Sequence, residues 1–152
     1  MKIDSDDETT FNAAMALMDA VNAHDKAAFA DTLHDDIHYA FLHQGHHAAN
    51  GKAEVLDAWN GMMAMMPDIQ EEITEVIVRK DLALVYWNMS GRLSGPLPLG
   101  SGYAVPESPQ DPVTTNGVDI FLIRDGKVIR KDTLLDVGVW FEAFGDIVQR
   151  PA

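Results

Sequence analysis

Thr114–Gly145 reads TTNGVDIFLIRDGKVIRKDTLLDVGVWFEAFG, and the fold is decided there. Asp125-Gly126 is a strong hairpin signal, because glycine tolerates the positive φ that a two-residue primed turn needs. The flanking segments, Val118–Arg124 and Lys127–Asp136, are rich in β-branched and apolar residues and read as strands. The second strand carries Asp132 and Asp136 inside an otherwise apolar element. A carboxylate on a strand is disfavoured unless it faces water or has chemistry to perform. Val137, Trp140, Phe141 and Phe144 follow at helical spacing, with Gly145 as the stop, so a short helix closes the segment. The rest of the chain is expected to build a pocket around this hairpin.

Working outward, Ser94–Pro112 holds five of the seven prolines and reads as a long loop bordering the cavity mouth. Gly117 reads as a bulge within its strand. Leu82–Arg92 is a strand with Leu84, Tyr86, Asn88 and Ser90 on one face and Ala83, Val85, Trp87 and Met89 on the other. Lys80-Asp81 turns the chain back to Asp68–Lys80, a long strand that is half acidic on one side. A third helix, opened by Asn50 and ended at Pro67, carries the stripe Val55, Trp59, Met62, Met66, with Leu56 and Met63 alongside. Gln44–Asn50 reads as a loop. Ile37–His43 alternates as a strand, with Ile37, Tyr39, Phe41 and His43 pointing one way. Asp25 caps a second helix bearing Phe29 and Leu33, ended by Asp35-Asp36. Ser5-Asp6-Asp7-Glu8 fits a capping box for a first helix over Asp6–Asn22, with Phe11, Ala14, Met15, Met18 and Val21 at helical spacing.

Composition bounds the function. The 152 residues suit one domain, residues 1–152, large enough to bury about two-thirds of its unfolded surface. A net charge of −13 argues against nucleic acid and against an anionic membrane. The chain has no cysteine, which removes disulfide and thiolate chemistry. No apolar run reaches the ~18 residues of a membrane span, and the acidic N-terminus lacks the apolar stretch of a signal peptide. The default is a soluble cytoplasmic protein.

The element order places helices to one side of a curved antiparallel sheet: an α+β fold, a cone with helices packed on the concave side. Several stretches, in order, carry a resemblance. They are Asn22-Ala23-His24-Asp25, Gly51-Lys52, Met66-Pro67-Asp68, Gly117-Val118-Asp119-Ile120-Phe121, Arg124-Asp125-Gly126-Lys127-Val128-Ile129 and Asp136 before Phe144-Gly145. On these the chain resembles the nuclear transport factor 2-like superfamily, in its SnoaL-like polyketide cyclase branch. The resemblance implies a cone-shaped barrel with a deep apolar pocket, usually in a homodimer. Relatives include polyketide cyclases, ketosteroid isomerase, limonene epoxide hydrolase and scytalone dehydratase, and also proteins without known catalysis. Where they are enzymes, a pocket carboxylate or histidine moves a proton on a hydrophobic substrate, without a cofactor. The cyclase and epoxide hydrolase branches carry an aspartate on the last strand. Counted from Gly126, that position here is Thr133, and Asp132 falls one residue early. A one-residue shift turns a side chain to the other face of a sheet. Either a bulge returns Asp132 to the pocket or the usual acid is missing.

The candidate catalytic residues are therefore Asp132, Asp119 and His43. Asp132 is a pocket acid with a raised pKa or an outer-face residue paired with Arg130 or Lys131. Asp119 lies across from Asp132 or one pair away, as half of a carboxylate pair or as part of a solvated face. Asp136 reads as a helix cap. His43 is a pocket base near neutral pH or a polar residue at the mouth. His46 and His47 cluster with it, but no matching carboxylate motif accompanies them, and no metal is expected. Candidate substrate-binding residues are Tyr39 and Phe41 from the first strand, Trp59, Met62, Met63 and Met66 from the third helix, and Tyr86, Asn88 and Phe121 from the later strands. Trp87 and Met89 would then form an outer dimer patch. Two functional readings follow: an acid–base isomerase, cyclase or hydrolase acting on a hydrophobic carbonyl or epoxide, and a binding module with the same cavity. A dimerisation domain with a filled cavity is the third.

Overall fold

Helix α1 (Ser5–Asn22) buries Ala14, Leu17, Met18 and Val21 along one face. In the computed structural model, which describes residues 5–42, 47–94, 97–100, 103–105, 111–136, 138 and 148–149, the start of α1 is pinned to a distant turn. Asp7 Oδ1 accepts the Lys80 N–H, and the Thr10 hydroxyl donates to the Lys80 carbonyl. Helix α2 (Lys26–Thr32) begins as the sequence predicts, with the Ala28 N–H donating to Asp25 Oδ1 at 3.0 Å. Strand β1 (Leu33–Phe41) and β2 (His47–Asn50) come next, then helix α3 (Gly51–Met65), which buries Val55 and Trp59. Phe29 and Trp59 stack with ring centroids 4.4 Å apart, joining α2 to α3.

The later chain supplies β3 (Gln70–Arg79), β4 (Leu82–Gly91), β5 (Leu97–Gly100), β6 (Tyr103–Val105), β7 (Val113–Arg124), β8 (Lys127–Leu135) and β9 (Val148–Gln149). Six strands form one curved, unclosed sheet in the order β2-β1-β8-β7-β4-β3, and β5-β6-β9 form a second, small sheet. The helices pack on the inner face of the large sheet, against Ala83, Val85, Trp87 and Met89 of β4 and Phe121 and Ile123 of β7. Asp125 and Gly126 take φ of 52° and 72°, which fits the primed hairpin turn expected between β7 and β8.

Several sequence expectations are corrected. The sheet is not wholly antiparallel: β1 pairs with β8 in parallel, since both run the same way once α3 and the intervening strands have carried the chain round. Helix α2 stops at Thr32. Leu33 already has extended backbone and is buried opposite Val128, so β1 starts four residues before Ile37. Residues 47–50 are a strand rather than a loop, because they pair along β1 from Phe41 to His38. The proline-rich segment contains β5 and β6. Pro98 lies on the edge strand β5, where a missing N–H is tolerated. Asn50 makes no side-chain cap. Its Oδ1 pairs with His38 Nδ1 instead, and Glu54 accepts its N–H. Gly117 is not bulged. It pairs regularly with Trp87 and Leu135, and its missing side chain makes room for the Trp87 ring, whose nearest atoms would lie 2.5 Å from a Cβ. His43, His46 and the expected helix over residues 137–145 lie outside the described residues, apart from residue 138, as do residues 95–96, 101–102 and 106–110 of the segment expected to border the cavity mouth.

Candidate functional site

The pleat of β8 sorts four consecutive side chains into two groups. Lys131 and Thr133 point to the inner face and bond each other, Nζ to Oγ1 at 2.9 Å. Arg130 and Asp132 point to the outer face and form their own pair, Nε to Oδ2 at 2.8 Å. The offset originates at Ile129. Val128 pairs with Ile123 and Arg130 with Leu122, so Ile129 is the extra residue of a bulge. Without it, the hairpin would set Asp132 opposite Asp119. With it, Thr133 stands opposite Asp119, and Asp132 faces Ile120. The bulge that could have returned Asp132 to the interior is present, and it keeps Asp132 out.

Asp119 is the acid that the interior receives. It is 0% exposed, between Thr133 on β8 and Val85 on β4. Its Oδ1 takes a hydrogen bond from the Thr133 hydroxyl at 2.6 Å and the Lys131 ammonium at 2.9 Å. Lys131 is 5% exposed. Its three N–H donors are matched by Asp119, Thr133 and the Tyr39 hydroxyl at 3.1 Å. The ammonium also lies 4.5 Å from the centroid of the Tyr39 ring and 5.9 Å from that of Phe121. Both hydrogen bonds to Asp119 fall on one oxygen. Oδ2 is buried with no partner among the described residues, and the same holds for Trp87 Nε1 and, on the outer face, for Asp132 Oδ1.

Electrostatics follow from this packing. Burial pulls the Lys131 ammonium down, but Asp119, Tyr39 and Glu71 outweigh it, and the net shift is upward. Lys131 is charged across the working pH range. Burial pushes the Tyr39 phenol up, with Lys131 opposing, so Tyr39 is a neutral phenol. Glu71, on β3, is pushed up to about 7 by burial and by the charge of Asp119, with Lys131 opposing.

The substrate-binding candidates separate cleanly. Tyr39, Phe41, Trp59 and Met62 line one small hollow, together with Phe29, Val55 and Ala58. The centre of a water-sized sphere has about 10 Å³ to move in, room for about one water. This pocket is not the deep cavity expected. Tyr39 joins it to the polar group, one side of its ring to the pocket and its oxygen to Lys131. Met63 packs partly buried against the core; Met66 and Phe121 are wholly inside it. Tyr86 and Asn88 are not at this hollow: they occupy the exposed face of β4, and Tyr86 is 38% exposed. Trp87 and Met89, expected outside as a dimer patch, are core residues at 2% and 7% exposure. The hydrophobic alternation of β4 fits either assignment of inside and outside, so its sequence alone does not decide which is buried. Among the described residues, no group of three His, Asp or Glu side chains is placed to hold a metal ion, and no helix is long and apolar enough to cross a membrane.

Lys131, Thr133 and Glu71 are the site residues that sequence reasoning missed. Thr133 and Lys131 carried a signal, since Thr133 takes the position of the usual acid and Lys131 shares its face. Glu71 carried none beyond an acidic strand.

This arrangement sits on a known frame. The SnoaL-like domain family matches residues 14–131, most of the chain, and the chain belongs to it, within the nuclear transport factor 2-like superfamily. No curated protein gives a significant match. Among solved structures, a protein of Jannaschia sp. CCS1 assigned to the SnoaL-like polyketide cyclases is 19% identical, with a TM-score of 0.80 over 95% of this chain and 96% of that one. TsrD from Streptomyces laurentii is also 19% identical, with a TM-score of 0.74 over 95% and 98%. An epoxide hydrolase of M. tuberculosis is 15% identical, with a TM-score of 0.67 over 90% of each chain. At these identities the likeness is one of fold.

Proposed function

We infer that the chain is a cofactor-independent acid–base enzyme, an isomerase, cyclase or epoxide hydrolase, acting on a small hydrophobic molecule that bears a carbonyl or an epoxide. Asp119 is its proton-transfer carboxylate. The observation that carries this reading is the inner-face setting of that side chain: Oδ1 is fixed by Lys131 and Thr133 beside Tyr39, and Oδ2 is buried with no partner among the described residues. A fixed carboxylate with one open oxygen suits removal of a proton from a carbon beside a carbonyl, or from a water attacking an epoxide. Such general acid–base action contributes roughly 10²–10⁴-fold. Tyr39, a neutral phenol that accepts from Lys131, keeps its own proton for a ligand oxygen.

The test is isotope exchange. Small apolar ketones and epoxides are incubated with the protein in D₂O, and deuterium incorporation or epoxide opening is followed by NMR. Turnover by the native chain that falls at least ~100-fold in Asp119→Asn supports the reading; unchanged turnover in a folded Asp119→Asn removes Asp119 from it. A second reading, a binding module without chemistry, draws on the apolar and aromatic lining of the hollow beside Tyr39. It predicts thermal stabilisation by apolar compounds with no exchange. Homodimerisation belongs to the same proposal. Tyr86 and Leu134 flank Val118 on the outer face with their side chains exposed, and Ile77 is exposed beside them. Sedimentation of the native chain and of Tyr86→Lys checks it, and a monomeric native chain would dismiss it.

A further inference from the structure

Helix α3 closes on Met62-Met63-Ala64-Met65-Met66, which gathers four of the eight methionines into five residues. The chain has no cysteine, so thioethers are its only sulfur. The structure grades these four by access. Met66 is 1% exposed, with its Cγ and Sδ 2.5 and 2.6 Å from where a Cβ on Gly91 would stand, so its sulfur is wedged against the β4 backbone. Met62, Met63 and Met65 are only partly buried against the core. Met62 alone of these three lines the hollow, beside Phe29, Tyr39, Val55 and Trp59. That wall joins α2, α3 and β1, and Tyr39 continues it to the Lys131 ammonium through its hydroxyl.

We propose that Met62 is a modification site: hydrogen peroxide oxidises its thioether to the sulfoxide, which loosens the wall behind Tyr39 and makes the inner-face site sensitive to oxidant. In that step one peroxide oxygen bonds to Sδ, the O–O bond breaks, and the other oxygen leaves as water. Sulfur loses two electrons and the peroxide gains them. Partial exposure admits the peroxide to Met62, and the hollow gives the oxidation its consequence. Oxidation turns a flexible apolar side chain into a polar one. The sulfoxide oxygen is a strong acceptor, and the side chains of Phe29, Val55 and Ala58 offer it no donor. Room for about one water leaves no space to hydrate it there. Met63 and Met65 do not line the hollow, so their sulfoxides stay in solvent. The effect on the site rests on the acid–base reading above; the oxidation of Met62 and the loosening of its wall do not.

The experiment needs no substrate. The full chain is treated with increasing hydrogen peroxide, oxygen gained at each methionine is located by tandem mass spectrometry, and thermal unfolding is followed on the same samples. The expected result is oxidation of Met62 before the buried Met18 and Met66. The melting temperature falls by roughly 2–10 °C as the Met62 sulfoxide accumulates. Met62→Leu keeps the apolar bulk without the sulfur and abolishes that fall, whereas Met63→Leu and Met65→Leu retain it. Met62→Gln puts a polar group of similar length in the wall and reproduces the fall without peroxide. Met62 that reacts only after Met18 and Met66, a Met62 sulfoxide that melts with the untreated chain, or a Met62→Gln chain as stable as the native one overturns the proposal. Each of these outcomes leaves the role of Asp119 standing, since isotope exchange in Asp119→Asn is read separately.

Discussion

Asp119 and Asp132 stand on neighbouring strands, one register step apart, both buried, and face opposite sides of the sheet with different partners. Asp119 is enclosed on the inner face with a buried ammonium, a threonine hydroxyl and an aromatic wall. Asp132 lies on the outer face against Arg130, whose side chain is 50% exposed, while its own side chain is 9% exposed and its Oδ1 is buried with no partner among the described residues. Nothing in the residue type distinguishes them. The difference comes from Ile129, the single extra residue that shifts β8 by one position relative to β7. A pleated sheet turns a shift of one residue into a change of face and of partners: Asp119 meets Lys131 and Thr133, Asp132 meets Arg130.

That contrast can be broken by substitution. The largest effect is expected at Asp119. Asp119→Asn leaves the Lys131 ammonium buried without its counter-charge, a loss of about 3–5 kcal/mol. Thermal unfolding should fall by roughly 10 °C; a loss of a degree or two would mean that the pair is solvated. Glu71→Gln comes next, and its effect depends on pH. The folded chain holds the Glu71 proton up to about pH 7, against a usual value of 4.5. This group therefore favours folding below pH 4.5, and that advantage is lost as pH rises through 7. Glu71→Gln should be more stable than the native chain at pH 8 by about 2–3 kcal/mol and equal to it at pH 4. Denaturant titrations at the two pH values check the sign.

Gly117→Ala sharpens the comparison on the inner face alone. Its Cβ would meet the Trp87 ring and the Leu134 carbonyl at 2.5 Å, which costs about 1–3 kcal/mol and should shift the near-UV circular dichroism of the indole. The smallest effect is expected on the outer face. Asp132→Asn breaks a pair whose partner is half in water, and should cost about 1 kcal/mol or less in the same denaturant assay.

The fold was largely legible because its signals are local and redundant. Asp125-Gly126 marks a turn whatever surrounds it, Asp25 announces α2, and helical spacing picks out Ala14, Met18 and Val21 on the buried side of α1, while Phe11 of the same stripe is exposed. The inner face was harder to read. Tyr39, Phe41, Trp59 and Met62 do gather at one hollow, as their periodicity and the family resemblance suggested. Tyr86 and Asn88 do not join them. Strand β4 alternates, but its two sides, Leu84-Tyr86-Asn88 and Val85-Trp87-Met89, both look buriable, and only the register with β3 and β7 settles which one is. The face on which Asp132 lies was hard to read for a related reason. A bulge at an isoleucine carries no glycine or proline to announce it, so counting from the turn places the wrong aspartate inside. Glu71 was invisible because its raised pKa comes first from burial and then from Asp119, which is distant in sequence.

The most direct test sets the two aspartates side by side in one turnover assay, using any ketone or epoxide that the native chain converts. If the inner face carries the chemistry, Asp119→Asn loses at least ~100-fold while Asp132→Asn keeps native turnover. The reverse pattern, with Asp132→Asn inactive and a folded Asp119→Asn fully active, would contradict it.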